Sequence, residues 1–129
     1  MYLKELLIKK YRSYEHLGVK FSDGINILQG ENAAGKTNVL EAIGFLSFGR
    51  SFRTQKDAEC IKYECDSAYI KGTIEKKQGV LVMESLIMRD GRKSLKVNGE
   101  PARRMGELFG NFIAVVFSPE DIKVLKESP

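Results

Sequence analysis

Tryptophan is absent from this chain of 129 residues, and cysteine, histidine and proline are scarce: two Cys, one His and three Pro. Cys60 and Cys65 do not form a C-x-x-C pair, and no second pair or nearby histidine completes a metal-ligand set. Two such cysteines cannot frame a disulfide scaffold either, so they read as reduced thiols. The single His16 lies in a polar stretch behind Tyr14 and Glu15 and is assigned no catalytic role. No apolar run approaches the ~20 residues that a membrane-spanning helix needs. The opening M-Y-L-K-E-L-L-I-K-K carries charges inside its apolar run and has no small-residue cleavage site, so a signal peptide is not expected and the protein is expected to be cytoplasmic. Repeats and low-complexity segments are also missing.

What remains is ordinary material for one soluble domain: 43% hydrophobic and 29% charged residues, enough for a core without disulfides or metals. The 21 Lys and Arg exceed the 17 Asp and Glu, giving a net charge of +4 and a pI near 9.1. A mild basic excess is compatible with a phosphate-rich partner but does not by itself identify one. The basic groups Lys9, Lys10 and Arg12, then Arg50, Arg53 and Lys56, then Arg89, Arg92 and Lys93 read, on charge alone, as solvated faces.

Hydrophobic periodicity organises the chain. Residues 2–10 alternate loosely and predict a strand near a sheet edge, and 18–21 a short second strand. Asp23 and Gly24 mark a turn into a brief apolar strand at 25–28. Val39, Leu40, Ala42, Ile43, Phe45 and Leu46 recur at spacings of three and four, which predicts a helix from Lys36 to near Gly49 with a wide apolar face. Residues 50–66 are polar and irregular, with a short helix possible over 57–63. Strands at 68–74, 80–88 and 94–97, punctuated by Asp90-Gly91 and Asn98-Gly99, predict an antiparallel meander. A helix is expected over 101–109 with Pro101 in its first turn, then a fully apolar buried strand at 112–117. Ser118, Pro119 and Asp121 form the cap of a last helix. The chain stops barely past it, at Pro129, so it is expected to be a single domain over 1–129 that is truncated.

The run G-E-N-A-A-G-K-T, formed by Gly30, Glu31, Asn32, Ala33, Ala34, Gly35, Lys36 and Thr37, fits the phosphate-binding pattern G-x-x-x-x-G-K-[ST]. Each fixed position has a physical job. The two glycines let the backbone approach an anion without an intervening Cβ. Successive N–H groups and the positive end of the following helix attract the phosphates. Lys36 reaches the β- and γ-phosphates, and the Thr37 hydroxyl ligates Mg2+. The loop follows an apolar strand and opens a helix, the setting that the motif requires. This is the signature of a protein that binds a nucleoside triphosphate.

Three further segments narrow the reading. The opening L-K-E-L-L-I-K-K-Y-R-S-Y, the continuation of the loop into T-N-V-L-E-A-I, and F-G-R-S-F-R-T at 48–54 closely resemble the RecF family. These are bacterial recombination-mediator ATPases with SMC-like, ABC-type heads. The later V-N-G-E-P-A-R-R and V-V-F-S-P-E-D-I fit the same family in order and spacing, so the resemblance covers essentially the whole chain. It implies an α/β fold, the lobe of a P-loop ABC-type ATPase head, with a mixed sheet in which an antiparallel N-terminal meander packs beside a parallel core. It also implies ATP and Mg2+ as cofactors, an ATP-dependent homodimer, binding to double-stranded, gapped DNA, and work with RecR and RecO in DNA repair, replication and the SOS response. Arg12, in Y-R-S-Y, would reach the nucleotide phosphates, a task suited to a planar, bidentate guanidinium. Asn32 is read as shaping the loop, and Asn38 as positioning either the phosphate or a neighbouring strand.

Two departures limit what the resemblance carries. The S-P-E-D segment stands where ABC-type heads have their glutamine loop, yet holds no glutamine; Glu120 and Asp121 are the residues in question, and capping alone accounts for Asp121. After Phe117 no apolar strand ends in D-D or D-E, and no S-G-G-Q-like run occurs anywhere. The Walker B aspartate, the catalytic carboxylate and the signature motif are therefore outside these residues, and no catalytic residue is assigned. The expectation is the ATP-binding lobe of an ATPase head that lacks its second half, binding ATP without hydrolysing it alone. Two alternatives stay open: the head of another SMC or ABC-type ATPase, or a basic DNA-binding module independent of nucleotide.

Overall fold

The computed structural model describes residues 2–21, 33–51, 53–77 and 79–101. In chain order these form β1 (Tyr2–Tyr11), β2 (Tyr14–Lys20), α1 (Ala33–Phe48), a short 3-10 helix (Asp57–Cys60), β3 (Ser67–Lys76), β4 (Gly79–Met88), β5 (Lys93–Val97) and β6 (Glu100–Pro101). The strands make one six-stranded sheet in the order β2-β1-β3-β4-β5-β6, and every described pairing is antiparallel. The expected parallel component falls on 25–28 and 112–117, which lie outside the described residues, as do the helix expected after Ser118 and all but the first residue of the one expected over 101–109.

The long strands follow from their alternation. In β3, Ala68, Ile70 and Ile74 are buried; in β4, Leu81, Met83 and Ile87 are, and intervening residues face the other way. A register irregularity between Leu3 and Glu5 changes the parity of β1. The extra residue allows Leu3 to pack against the core together with the fully buried Leu6 and Ile8. A second parity change occurs at Lys10, whose φ is 52°, and brings Tyr11 inward as well. The turn after β4 uses Gly91 at φ 96°, and the one between β5 and β6 uses Asn98 and Gly99 at φ 52° and 83°, as the Asp-Gly and Asn-Gly pairs predict.

Helix α1 packs on β3 and β4. Its close approach is made possible by Gly72 in the middle of β3, where a Cβ would sit 2.5 Å from the Leu46 Cδ1 atom. The helix is not a surface helix with one wide apolar face: besides Val39, Ala42, Phe45 and Leu46 it buries Asn38, Glu41 and Ser47. A helix buried round most of its girth needs its polar residues paired, and that requirement builds the site described below.

Besides α1, which begins at Ala33 rather than Lys36, three further elements differ from the expectation. Strand β2 begins at Tyr14, because the hairpin turn closes directly after Tyr11 and the paired residues alternate with solvent. The helical stretch near 57–63 ends at Cys60, where Ile61 instead bridges to Tyr11. Pro101 is not the first turn of a helix. It pairs with Lys96 in β6, the outermost strand, a position that tolerates a residue without an N–H.

Candidate functional site

Glu41 lies in the middle of α1 and its side chain is 0% exposed. Four hydrogen bonds converge on its carboxylate. The Tyr11 hydroxyl donates to Oε1 at 2.7 Å, and the Ser51 hydroxyl donates to Oε2 at 2.5 Å. Arg12 grips both oxygens, Nε to Oε1 at 2.9 Å and Nη2 to Oε2 at 2.7 Å. A second guanidinium, that of Arg53, stands with Nη1 3.5 Å from Oε1 and donates from the same nitrogen to the Asn38 Oδ1 atom at 2.7 Å. Burial pushes the Glu41 carboxyl up, but the hydrogen bonds from Arg12, Ser51 and Tyr11 together hold it below the usual carboxylate range. It is an ionised carboxylate in the protein interior.

The chain folds to deliver these donors. Tyr11 and Tyr14 pair across a two-residue turn whose first member, Arg12, has φ 52°; this is the sign pattern of a type II′ turn, a place that favours glycine. The unfavourable backbone angle is held by contacts on both sides: the Arg12 N–H donates to the Cys60 carbonyl at 2.7 Å, and the Lys62 N–H donates to the Lys10 carbonyl at 2.8 Å. Burial raises the Tyr11 hydroxyl far above its ordinary value, with the neighbouring Cys60 and Glu41 adding to it. The Cys60 thiol is pushed up to about 11 by burial and by the Glu41 charge.

The F-G-R-S-F-R-T segment supplies the other side. The Ser51 hydroxyl, while donating to Glu41, accepts from the Arg53 N–H at 3.0 Å and the Thr54 N–H at 3.3 Å. Asp57 accepts from the Ser51 N–H at 3.2 Å and pairs with Lys93, whose Nζ also donates to the Gly49 carbonyl at 3.0 Å. Between these groups opens a pocket of about 840 Å³, lined by Phe48, Arg50, Ser51, Arg53, Thr54, Gln55, Asp57 and Lys93.

Of the residues that the sequence pointed to, Gly30, Glu31 and Asn32 lie outside the described residues. Ala33, Ala34, Gly35, Lys36 and Thr37 form the opening turns of α1. The first turn of α1 carries no acidic residue to oppose an anion. Thr37 and Glu41 are four residues apart on one helix and share a face, so the arginine cluster sits one turn beyond Thr37. Asn38 turns out to hold Arg53. The sequence reading missed Glu41 and Ser51. A lone carboxylate amid Val39, Leu40, Ala42 and Ile43 was the available signal. Among the described residues no group of His, Cys, Asp or Glu could hold a metal on its own, and no helix is long and apolar enough to cross a membrane.

The profile of the RecF/RecN/SMC N-terminal domain matches residues 2–120. The chain belongs to this family. Within the RecF/RecN/SMC family it is 44% identical over 129 residues to the DNA replication and repair protein RecF of Clostridium botulinum strain Eklund 17B, and 43% identical to that of Clostridium acetobutylicum. Both alignments take in all of this chain and 36% of the relative, so the chain spans about a third of the length of the curated relatives it matches. Among solved structures, the recombination mediator protein RecF bound to ATP superimposes with a TM-score of 0.85 at 40% identity, covering 99% of this chain and 35% of that one. The SMC head domain of Thermotoga maritima follows the same fold, with a TM-score of 0.67 at 25% identity over 88% of this chain and 43% of that one. The fold is thus that of an ABC-type ATPase head lobe, as the sequence motifs implied.

Proposed function

We propose that this chain is the ATP-binding lobe of a RecF-like recombination mediator, an ATPase in its complete form, that engages DNA in an ATP-dependent manner during repair and replication. The observation that carries the reading is the whole-chain likeness to an ATP-bound RecF, combined with a phosphate-loop sequence that opens α1. The donor set fits a triphosphate. Backbone N–H groups at the start of a helix free of acidic residues, with Lys36, would take the β- and γ-phosphates, and the Thr37 hydroxyl would ligate Mg2+. Mg2+ when bound offsets phosphate charge and orients the terminal phosphoryl group. Arg12 adds a cation one turn away.

Double-stranded or gapped DNA, RecR and RecO as partners, a homodimer closed by ATP, the SOS response and a cytoplasmic location belong to the same proposal, on the strength of the family. Hydrolysis would depend on a Walker B carboxylate and a signature motif, neither of which these 129 residues contain.

Binding of ATP and of duplex DNA, each measured for the wild type and for Lys36→Ala at fixed salt, tests the reading. The expected result is ATP binding that Lys36→Ala abolishes, and DNA binding by the complete protein that requires ATP and is lost in the same variant. DNA affinity indifferent to both ATP and Lys36 would instead establish a nucleotide-independent basic module.

A further inference from the structure

The Arg12 guanidinium has five N–H groups. Two of them, on Nε and Nη2, are spent on Glu41. The remaining three donate to no other described residue, and the side chain is 21% exposed while its carboxylate partner is 0% exposed. The arginine therefore presents one edge clamped to Glu41 and further N–H groups committed to no described residue. Charge points the same way. Two guanidinium groups, Arg12 and Arg53, converge on one carboxylate, so the cluster keeps a net charge of +1 one helical turn from Thr37. Had the arrangement served only to neutralise Glu41, one arginine would have sufficed.

From this we infer that Glu41 is a positioning residue for nucleotide binding: it holds Arg12 by one edge, so that the opposite edge is set for an anionic phosphate. The inference rests on the proposed reading of the phosphate loop. Glu41 does not touch the nucleotide and acts only through Arg12. Its own position is fixed by Tyr11 and Ser51, and the backbone of Arg12 is fixed by Cys60, so the clamp is rigid at both ends. A guanidinium already ordered loses little freedom on binding, which is how such a clamp raises affinity. The clamp stays closed when nucleotide arrives, because opening it would strip the bidentate partner from a buried carboxylate.

The test is a double-mutant cycle on ATP affinity in the complete protein, with Lys36→Ala as the reference for the loop. Wild type, Arg12→Ala, Glu41→Gln and the double variant are compared. Glu41→Gln keeps the shape of the side chain but removes the charge that grips Arg12. It is expected to weaken ATP binding about tenfold when Arg12 is present, and less than about twofold in the Arg12→Ala background. Equal losses in both backgrounds would show a general structural role, and no loss would show no role; either overturns the inference while leaving the loop reading intact. Failure of the wild type to bind ATP, or indifference to Lys36→Ala, defeats the loop reading itself. Should Glu41→Gln fail to fold, a structure of the wild type with a non-hydrolysable ATP analogue decides. Arg12 still within hydrogen-bond distance of Glu41 supports the clamp, and an Arg12 that has swung away from it overturns the clamp.

Discussion

Arg12 and Glu41 meet side by side, Nε to Oε1 at 2.9 Å and Nη2 to Oε2 at 2.7 Å, and so tie a hairpin turn of the sheet to the middle of α1. The pair is asymmetric in burial, with the carboxylate sealed and the guanidinium partly open. Removing the two partners should therefore have unequal effects. Arg12→Ala leaves an ionised carboxylate in the interior with only Tyr11, Ser51 and a more distant Arg53. A loss of about 3 kcal/mol is expected, as for other buried pairs broken on one side. Glu41→Gln leaves a guanidinium that water can reach, and should lose less. Urea unfolding of both variants measures the difference, and a larger loss for Glu41→Gln would contradict the asymmetry.

The same cluster sets the response to pH. Glu41 is held below its unfolded value of 4.5 in the folded protein, so its contribution is complete above 4.5 and is lost as pH falls through the lower folded value. Cys60 has the opposite sign. Its thiol rises from 9.0 to about 11 on folding, so its contribution is complete below 9.0 and fades as pH climbs towards 11. Tyr11, also raised, adds to the alkaline loss above 10.0. Urea midpoints across the pH range should fall at both ends. Glu41→Gln should flatten the acid limb, and Cys60→Ala should remove the part of the alkaline limb that begins near pH 9.0.

Thiol labelling should separate the two cysteines. Cys60 is fully buried, with its thiol pushed up to about 11, so little reactive thiolate forms at neutral pH. Cys65 is partly exposed and lies just outside the core. In the native protein at pH 8, a small alkylating reagent should modify Cys65 first and reach Cys60 only after denaturant is added. Mass spectrometry of the labelled peptides reads the order directly.

How much of this was legible beforehand depends on the range of the interaction. The α1 helix could be placed from its apolar spacing, and the β3-β4-β5 meander from alternation and its Asp-Gly and Asn-Gly turns, because each is a local pattern. Pro101 was misread because a proline fits the first turn of a helix and an outermost strand equally well. Only pairing with Lys96 decides between them. Glu41 was passed over for a related reason. Its partners come from residues 11 and 12 and from residues 51 and 53, two separate pieces of chain, and no spacing within one segment encodes that convergence.

Gly72 offers a last test, since two tendencies oppose each other there. It occupies the centre of β3, where valine is intrinsically preferred over glycine, so Gly72→Val should stabilise the protein if only strand propensity mattered. The fold predicts the reverse. A Cβ at this position would lie 2.5 Å from the Leu46 Cδ1 atom and 3.3 Å from the Leu3 Cδ1 atom, so α1 would have to lift or Leu46 leave its rotamer. Overpacking of that kind costs about 1–3 kcal/mol, more than the propensity returns. Because the obstacle is one side chain, Leu46→Ala should absorb much of the added volume. The double variant is then expected to be more stable than the sum of the two single losses allows. Strict additivity in urea unfolding would mean that Gly72 is not what sets the seat of α1 on the sheet.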